Sequence, residues 1–320
     1  MLIPRTVVWI FSFGSMVLGA DVASGQDYPN KPIRIVTSIP GGTGDVVARL
    51  IAPRLSGSFG QRLIVDNRPS GVIPAEIVAK ATPDGYTLLF YTTALWITPL
   101  LQKTPYDPVR DFSPITLAAS SPNVLVVHPS VAANSVKELI ALAKARPGEL
   151  NYGTSGVGTS AHIAAELFKA MAGVNFVHVP YKGSGLVILA LLGNEVQVNF
   201  APAAAVAPHM KSSKVRALAV TSAQPSALLP GLPTVAASGL LGYETVNSVG
   251  ILAPAKTPAA IINRLNQEIA RVLNQAEVKE KFFGIGLEVA PSSPEQFAAL
   301  IKSEITRISK VIQDAGIRAN

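Results

Sequence analysis

Two glycine-rich turns each follow an apolar run and open an amphipathic helix: Ile39-Pro40-Gly41-Gly42-Thr43-Gly44-Asp45 and Tyr152-Gly153-Thr154-Ser155-Gly156-Val157-Gly158-Thr159-Ser160. Glycine lets backbone N–H groups approach a ligand closely, and a helix start offers unpaired N–H donors at the positive end of the helix dipole. Each turn therefore reads as an anion cradle. Two cradles in two α/β halves predict one anionic ligand gripped between them.

Other chemistries fit the same residues less well. Gly42-x-Gly44-x-x-Val47, with Asp66 ending the next strand, and Gly156-x-Gly158-x-x-Ala161 approach a dinucleotide fingerprint, but Phe176-Val177-His178-Val179 after the second turn ends in no acid. No Lys-Ser/Thr pair follows either turn, which excludes a P-loop. His128, His162, His178 and His209 lack metal-ligand spacing, so neither a metal nor a cofactor is expected. Ser155 misses the G-x-S-x-G frame because Val157 takes the last glycine position, yet Ser155 or Ser160 with His162 defines an exported hydrolase as an alternative. Asp45 reads as a cap of the first helix paired with Arg49 four residues on, shaping its loop within the ligand-lining set. The hydroxyls of Thr43, Thr159 and Ser160 either cap their helices or face the ligand. Tyr91 and Thr92 end a strand at the sheet edge where open α/β folds bind ligands.

At 320 residues the chain predicts two domains. It is apolar for a soluble protein, with a mean hydropathy of +0.36, but a membrane-like run occurs only in the first 25 residues. There Arg5, the apolar stretch from Val7 to Ala20 and the small residues Ala23-Ser24-Gly25 form the pattern of a signal peptide over 1–25, cleaved after Gly25. The absence of cysteine excludes disulfides and a lipoprotein anchor, so a free periplasmic protein is expected. Cleavage removes one base, Arg5, and one acid, Asp21, leaving the net charge at +7, a field that favours anions. Nucleic acid is not the expected anion, because 6% aromatic content without a Lys/Arg cluster supplies no stacking surface.

The elements that position the turns alternate strand and helix. Strands are expected at Ile33–Ile39, Leu63–Val65 and Leu88–Tyr91, with helices at Asp45–Leu55 and Ala75–Ala81, and Pro83-Asp84-Gly85 as a turn. A second block begins at the capping box Ser135-Val136-Lys137-Glu138 and adds strands at Leu150–Gly153, Phe176–Val179, Val196–Phe200 and Val215–Val220, with helices between them. Thr257-Pro258 and Ser293-Pro294 open two C-terminal helices with apolar stripes. Pro122–Pro129 and Asn247–Pro254 are apolar strands ending in Pro, read as two crossings between lobes. They divide the chain into a lobe of 26–123 plus 252–320 and a lobe of 124–251.

Six segments in order carry a resemblance to one family: Ile39–Arg49, Val65–Pro69, Pro83–Leu89, Tyr152–His162, Val179–Gly185 and Val215–Thr221. Together they resemble the Bug-type solute receptors of tripartite tricarboxylate transporters over the whole mature chain. The resemblance implies an α/β class II periplasmic binding protein, two doubly wound lobes joined by two hinge strands, and no enzymatic activity. It implies as partners a small carboxylate and the small and large membrane subunits of a permease. A monomer is expected, and a sensory protein feeding a receptor kinase is an alternative use of the same site. Carried onto this chain, the ligand-holding role falls on Ser38, Pro40, Gly41, Gly42 and Thr43, and on Ser155, Gly158, Thr159, Ser160 and His162. Two departures bear on the ligand. Ser70-Gly71-Val72-Ile73-Pro74 replaces a run of glycines, and Ala201-Pro202 stands where the family commonly has Asp. If position 201 faces the cleft, the lost charge suits a dicarboxylate or an aromatic acid.

Overall fold

The computed structural model describes residues 28–69, 71–181 and 183–314. The expected signal peptide at 1–25 lies outside the described residues.

The first unit of the sheet is built from β1 (Ile33–Thr37), β2 (Leu63–Asn67) and β3 (Thr87–Thr92), with α1 (Thr43–Phe59), α2 (Ile73–Ala79) and α3 (Ala94–Leu101) between and after them. β1 pairs in parallel with β2 on one side and β3 on the other, as strand–helix–strand crossovers require. β4 (Phe112–Val127) follows, then α4 (Val136–Ala145), β5 (Asn151–Thr154), α5 (Ser160–Ala172), β6 (Val177–Pro180), α6 (Ser184–Leu192), β7 (Val198–Pro202), α7 (Ala203–Lys211) and β8 (Arg216–Val220). The chain closes with β9 (Val246–Pro254), α8 (Ala259–Leu273), α9 (Ala276–Gly284), β10 (Glu288–Val289) and α10 (Pro294–Asp314).

β4 organises the molecule. From Phe112 to Pro122 it pairs antiparallel with β9, and from Asn123 to Val127 with β7 on one side and β8 on the other. One strand thus belongs to two sheets and changes partners at Pro122, whose missing N–H suits a change of ladder. β9 belongs to the first sheet along its whole length, pairing with β3 and β4 from Val246, six residues before the expected boundary at 252. The return crossing therefore falls at Thr245. There the Thr221 hydroxyl accepts the Asn123 N–H at 2.8 Å and donates to the Thr245 carbonyl at 2.7 Å, tying the two crossings together.

Separate apolar clusters fill the two halves. Ile35, Ile51, Phe90, Leu265 and Phe282 pack on one face of the first sheet, and Leu125, Tyr152, Phe168 and Phe200 on one face of the second. α10 runs across both, since its Ile308 and Ile312 join a cluster with Trp96 and Ile163 while its Val311 joins the second-sheet core. Trp96 is core, edge-on to Phe297.

Candidate ligand-binding site

The first turn is held by its own helix. Gly42 is the N-cap of α1, in extended conformation and without a side-chain cap, so Asp45 does not cap the helix as the sequence suggests. Asp45 sits in the first turn, buried, where Oδ2 accepts the Gly41 N–H at 2.9 Å and Oδ1 accepts from Arg49 at 2.8 Å and from Asn67 at 2.8 Å. Burial alone would raise its pKa, but the Asn67, Gly41 and Arg49 hydrogen bonds outweigh it and hold the carboxyl below the usual carboxylate range. The loop-shaping role follows from these bonds. The Gly42 N–H is also used, donating to Ile39 O at 3.1 Å. A ligand at this turn is therefore left the N–H of Thr43, which opens α1 and has no intrahelical partner. Gly44 is required for close packing, because a Cβ there would stand 2.7 Å from both Phe90 O and the Thr37 hydroxyl.

The second turn repeats this construction. Thr159 is the N-cap of α5, with its hydroxyl accepting the His162 N–H and donating to Gly156 O at 2.8 Å, so its role as a cap is settled. His162 Nδ1 accepts the Gly158 N–H at 3.2 Å and is buried. Burial, then the neighbouring His178, push the His162 pKa down to about 4, which keeps the ring neutral and able to accept. Beneath it the rings of His162 and His178 lie 4.6 Å apart, His178 Nε2 meets the Thr154 hydroxyl at 2.7 Å, and Tyr152 and Lys169 both donate to Glu166. Gly158 has φ +78°, and a Cβ there would stand 2.5 Å from Leu101 Cδ1 at the end of α3.

Each turn opens on a cavity, and the two cavities share Pro202 as a wall. The first, about 300 Å³, is lined by Gly41 and Thr43, by Ser121 and Asn247 at the crossings, and by Ile285–Leu287 between α9 and β10. The second, about 50 Å³, is lined by Ser155, Thr159 and Ser160 of the second turn, by Ser184 at the start of α6, and by Asn199 and Ala201 of β7. Among the described residues no charged side chain lines either cavity. An anion there is met by backbone N–H groups, hydroxyls and the positive ends of α1, α5 and α6.

The expected site residues divide accordingly. Gly41, Thr43, Ser155, Thr159, Ser160 and Ala201 line the cavities, while Ser38, Gly42, Asp45, Gly158 and His162 support the turns from behind or within, and Pro40 is exposed beside the first turn. Tyr91 and Thr92 line neither cavity. Tyr91 is turned into the core and donates its hydroxyl to Gly71 O at 2.6 Å, and the Thr92 hydroxyl accepts from the Ala94 N–H. Asp66, the acid of the nucleotide fingerprint, is engaged by Arg34 and Arg68. Neither Ser155 nor Ser160 hydrogen-bonds His162 among the described residues, and the His162 acceptor is occupied by Gly158. Sequence reasoning missed Ser121, Ser184, Asn199, Asn247 and Ile285–Leu287. Only Asn199 carries a local signal, as a polar residue inside an apolar strand.

Two α/β lobes on crossing strands, with paired helix starts facing cavities that meet, define a periplasmic binding fold of class II. Residues 47–317 match the family described as the Tripartite tricarboxylate transporter family receptor, and the chain belongs to that family. The chain is 35% identical over 301 residues to the protein BugT of Bordetella pertussis, covering 92% of both chains. The structure of R. palustris Rpa4515 with adipate is 39% identical, with a TM-score of 0.78 over 91% of this chain and 99% of that one. The structure of MatC from Rhodopseudomonas palustris with bound malate is 26% identical, with a TM-score of 0.73 over 89% and 100%. The chain is thus a solute-binding receptor, and the hydrolase alternative gives way to a family that binds rather than turns over its ligand.

Proposed function

We propose that the mature protein, exported by a signal peptide cleaved after Gly25, is a monomeric periplasmic receptor that captures a small carboxylate, with a dicarboxylate favoured, between its two lobes. In this reading the lobes close about the crossings at Pro122 and Thr245, and the closed form delivers its ligand to the small and large membrane subunits of a permease. The observation that carries the reading is the matched pair of helix starts, α1 and α5, each facing one of two cavities that share Pro202 and contain no charged side chain among the described residues.

The chemistry of that lining favours an anion over a cation or an uncharged sugar. Backbone donors and helix dipoles stabilise negative charge, and the net charge of +7 steers anions towards the protein. The relatives solved with adipate and with malate both hold dicarboxylates, which supports the same ligand class here. The test is a thermal-shift screen of purified mature protein against aliphatic mono-, di- and tricarboxylates and aromatic acids. A dicarboxylate is expected to give the largest upward shift. A protein stabilised by none of these acids is not a carboxylate receptor.

A further inference from the structure

The cavity beside β7 contains a polar side chain with nothing to bind. Asn199 is 2% exposed and lines this cavity, and its amide has no hydrogen-bond partner among the described residues. Because no group of the protein engages the amide, its donors and acceptor are left for whatever occupies the cavity, which makes it a candidate for recognition of a ligand. Its surroundings are built to hold it there. Gly153 pairs with Asn199 in the sheet, and because a Cβ on Gly153 would stand 2.7 Å from Val187 Cγ1, the bare glycine is what lets α6 lean over the cavity. Ala201, two residues along the same face of β7, closes the wall with an apolar surface.

We propose that Asn199 is the specificity residue for the far end of the ligand: its amide donates, beside the second glycine turn, to the second carboxylate of an aliphatic dicarboxylate whose first carboxylate is held at the first glycine turn. The inference rests on the receptor reading above. Three observations select this ligand class. The helix starts of α5 and α6, and that of α7 just after Pro202, surround the cavity and favour negative charge. The Ser184 hydroxyl on the cavity wall offers a second donor to a carboxylate beside Asn199. The cavity is about 50 Å³, well below the roughly 150 Å³ that accommodates a benzene ring. A carboxylate head fits, and an aromatic ring does not.

The experiment is isothermal titration calorimetry with adipate and with its monomethyl ester, which has the same chain but lacks the second charge. Wild type is expected to bind adipate roughly 10-fold more tightly than the ester, because the amide and the helix starts meet a charged oxygen in adipate and a neutral carbonyl in the ester. Asn199→Leu, close in shape but unable to hydrogen-bond, is expected to weaken adipate more than the ester, whose carbonyl accepts the amide only as a neutral group, and so to narrow that preference several-fold. Asn199→Ala, which removes volume instead of substituting it, carries the same expectation and guards against a misfolded leucine variant, with circular dichroism as the check on both. A folded variant that keeps the full preference for adipate overturns the proposal, as does a wild type that binds ester and diacid equally. Wild type that binds neither, but binds a monocarboxylate or aromatic acid, overturns the role of Asn199 and leaves the receptor reading intact. Wild type that binds no carboxylate overturns both.

Discussion

Asp45 and His162 hold the same place in two unrelated stretches of chain: each is the third residue of its helix, and each accepts the N–H of the glycine four residues before it, Gly41 at 2.9 Å and Gly158 at 3.2 Å. The bond resembles a capping box displaced by one residue, since it reaches past the N-cap to the residue before it. Its consequence is the same in both turns. The glycine N–H is taken up internally, the loop is fixed against its helix, and the next N–H groups along the helix start are left for a ligand. The two turns differ in charge, because Asp45 is ionised and balanced by Arg49, whereas His162 is neutral.

That difference gives the turns opposite titrating partners with the same direction of pH dependence. The groups facing His162 are the tilted ring of His178 and the stacked ring of Tyr152, with Glu166 and Lys169 at longer range. Its pKa of about 4 lies below the value near 6.5 of an unfolded histidine, so the unfolded chain takes up the proton first. Stability is whole above about pH 6.5 and falls as the pH drops from there towards 4, by a few kcal/mol at most. Protonation also turns the acceptor of the Gly158 N–H into a donor. His162→Asn places an Oδ1 acceptor near the same point and does not titrate. Its melting temperature is expected to fall less than that of wild type between pH 7 and pH 4.5, with ligand binding retained, whereas His162→Leu loses binding at every pH. An unchanged slope in His162→Asn would assign the titration to His178.

Asp45 predicts a loss at more acid pH. Its folded pKa is depressed, so its contribution is present above the unfolded value near 4 and disappears as the pH falls through the lower folded value. Asp45→Asn keeps the shape but weakens the bonds to Arg49 and the Gly41 N–H, at a cost of about 1–3 kcal/mol at pH 7. Urea unfolding at pH 7 and pH 3 checks this: the gap between variant and wild type narrows at the lower pH, and a gap of equal size at both would mean that the carboxylate charge is irrelevant to the turn.

These bonds mark where sequence reading succeeds and where it stops. Local patterns expose α1, α5, α8 and α10, because glycine before a helix and three- or four-residue apolar spacing both act within one turn of chain. α3 escapes it, since Ala94–Leu101 is apolar all round and has no polar face to set a period. The first half of β4 escapes for the opposite reason, because its Ser, Ala and Pro interrupt any strand pattern and it pairs alongside β9. The cavity walls are the hardest part. Ile285–Leu287 reaches the first turn from some 240 positions away, through Ser121, whose hydroxyl donates to Gly286 O at 2.9 Å. No local spacing encodes that contact.

A charge at position 201 tests the wall of the second cavity. Ala201 is 1% exposed and lies on the same face of β7 as Asn199. Ala201→Asp is expected to weaken adipate more than its monomethyl ester, because a new carboxylate in a desolvated cavity repels a second one at a cost on the order of a few kcal/mol. Calorimetry on the folded variant decides it. Equal weakening of the two ligands would put the far end of the ligand elsewhere.

Gly44 is a packing glycine, and its substitution separates stability from binding. A Cβ there meets the Phe90 carbonyl, which belongs to a strand and cannot swing aside. Gly44→Ala is expected to destabilise by about 1–3 kcal/mol. At Gly41 a Cβ meets nothing within 4 Å, and the only obstacle is φ +79°, a strain of roughly 1 kcal/mol for alanine. Thermal denaturation of the two variants without ligand ranks them, and a Gly41→Ala loss exceeding that of Gly44→Ala would reverse this account of the first turn.

The two turns together provide the strongest test of a ligand bridging the lobes. Gly42→Val adds a branched side chain where even a Cβ stands 2.6 Å from the Ser38 hydroxyl, and Gly158→Val does so at φ +78° against Leu101. Both are expected to displace the donors at the adjoining helix start and abolish most binding. Because a closed complex needs both turns at once, the double variant loses little more than either single one, a non-additivity that independent sites would not show. A ligand at a hundred times its dissociation constant stabilises wild type by about 2.7 kcal/mol, so the thermal shift produced by adipate at that excess should nearly vanish in each single variant. Circular dichroism establishes first that each variant is folded. A folded single variant that retains the full wild-type shift shows that its turn does not touch the ligand, and the bridging geometry then fails.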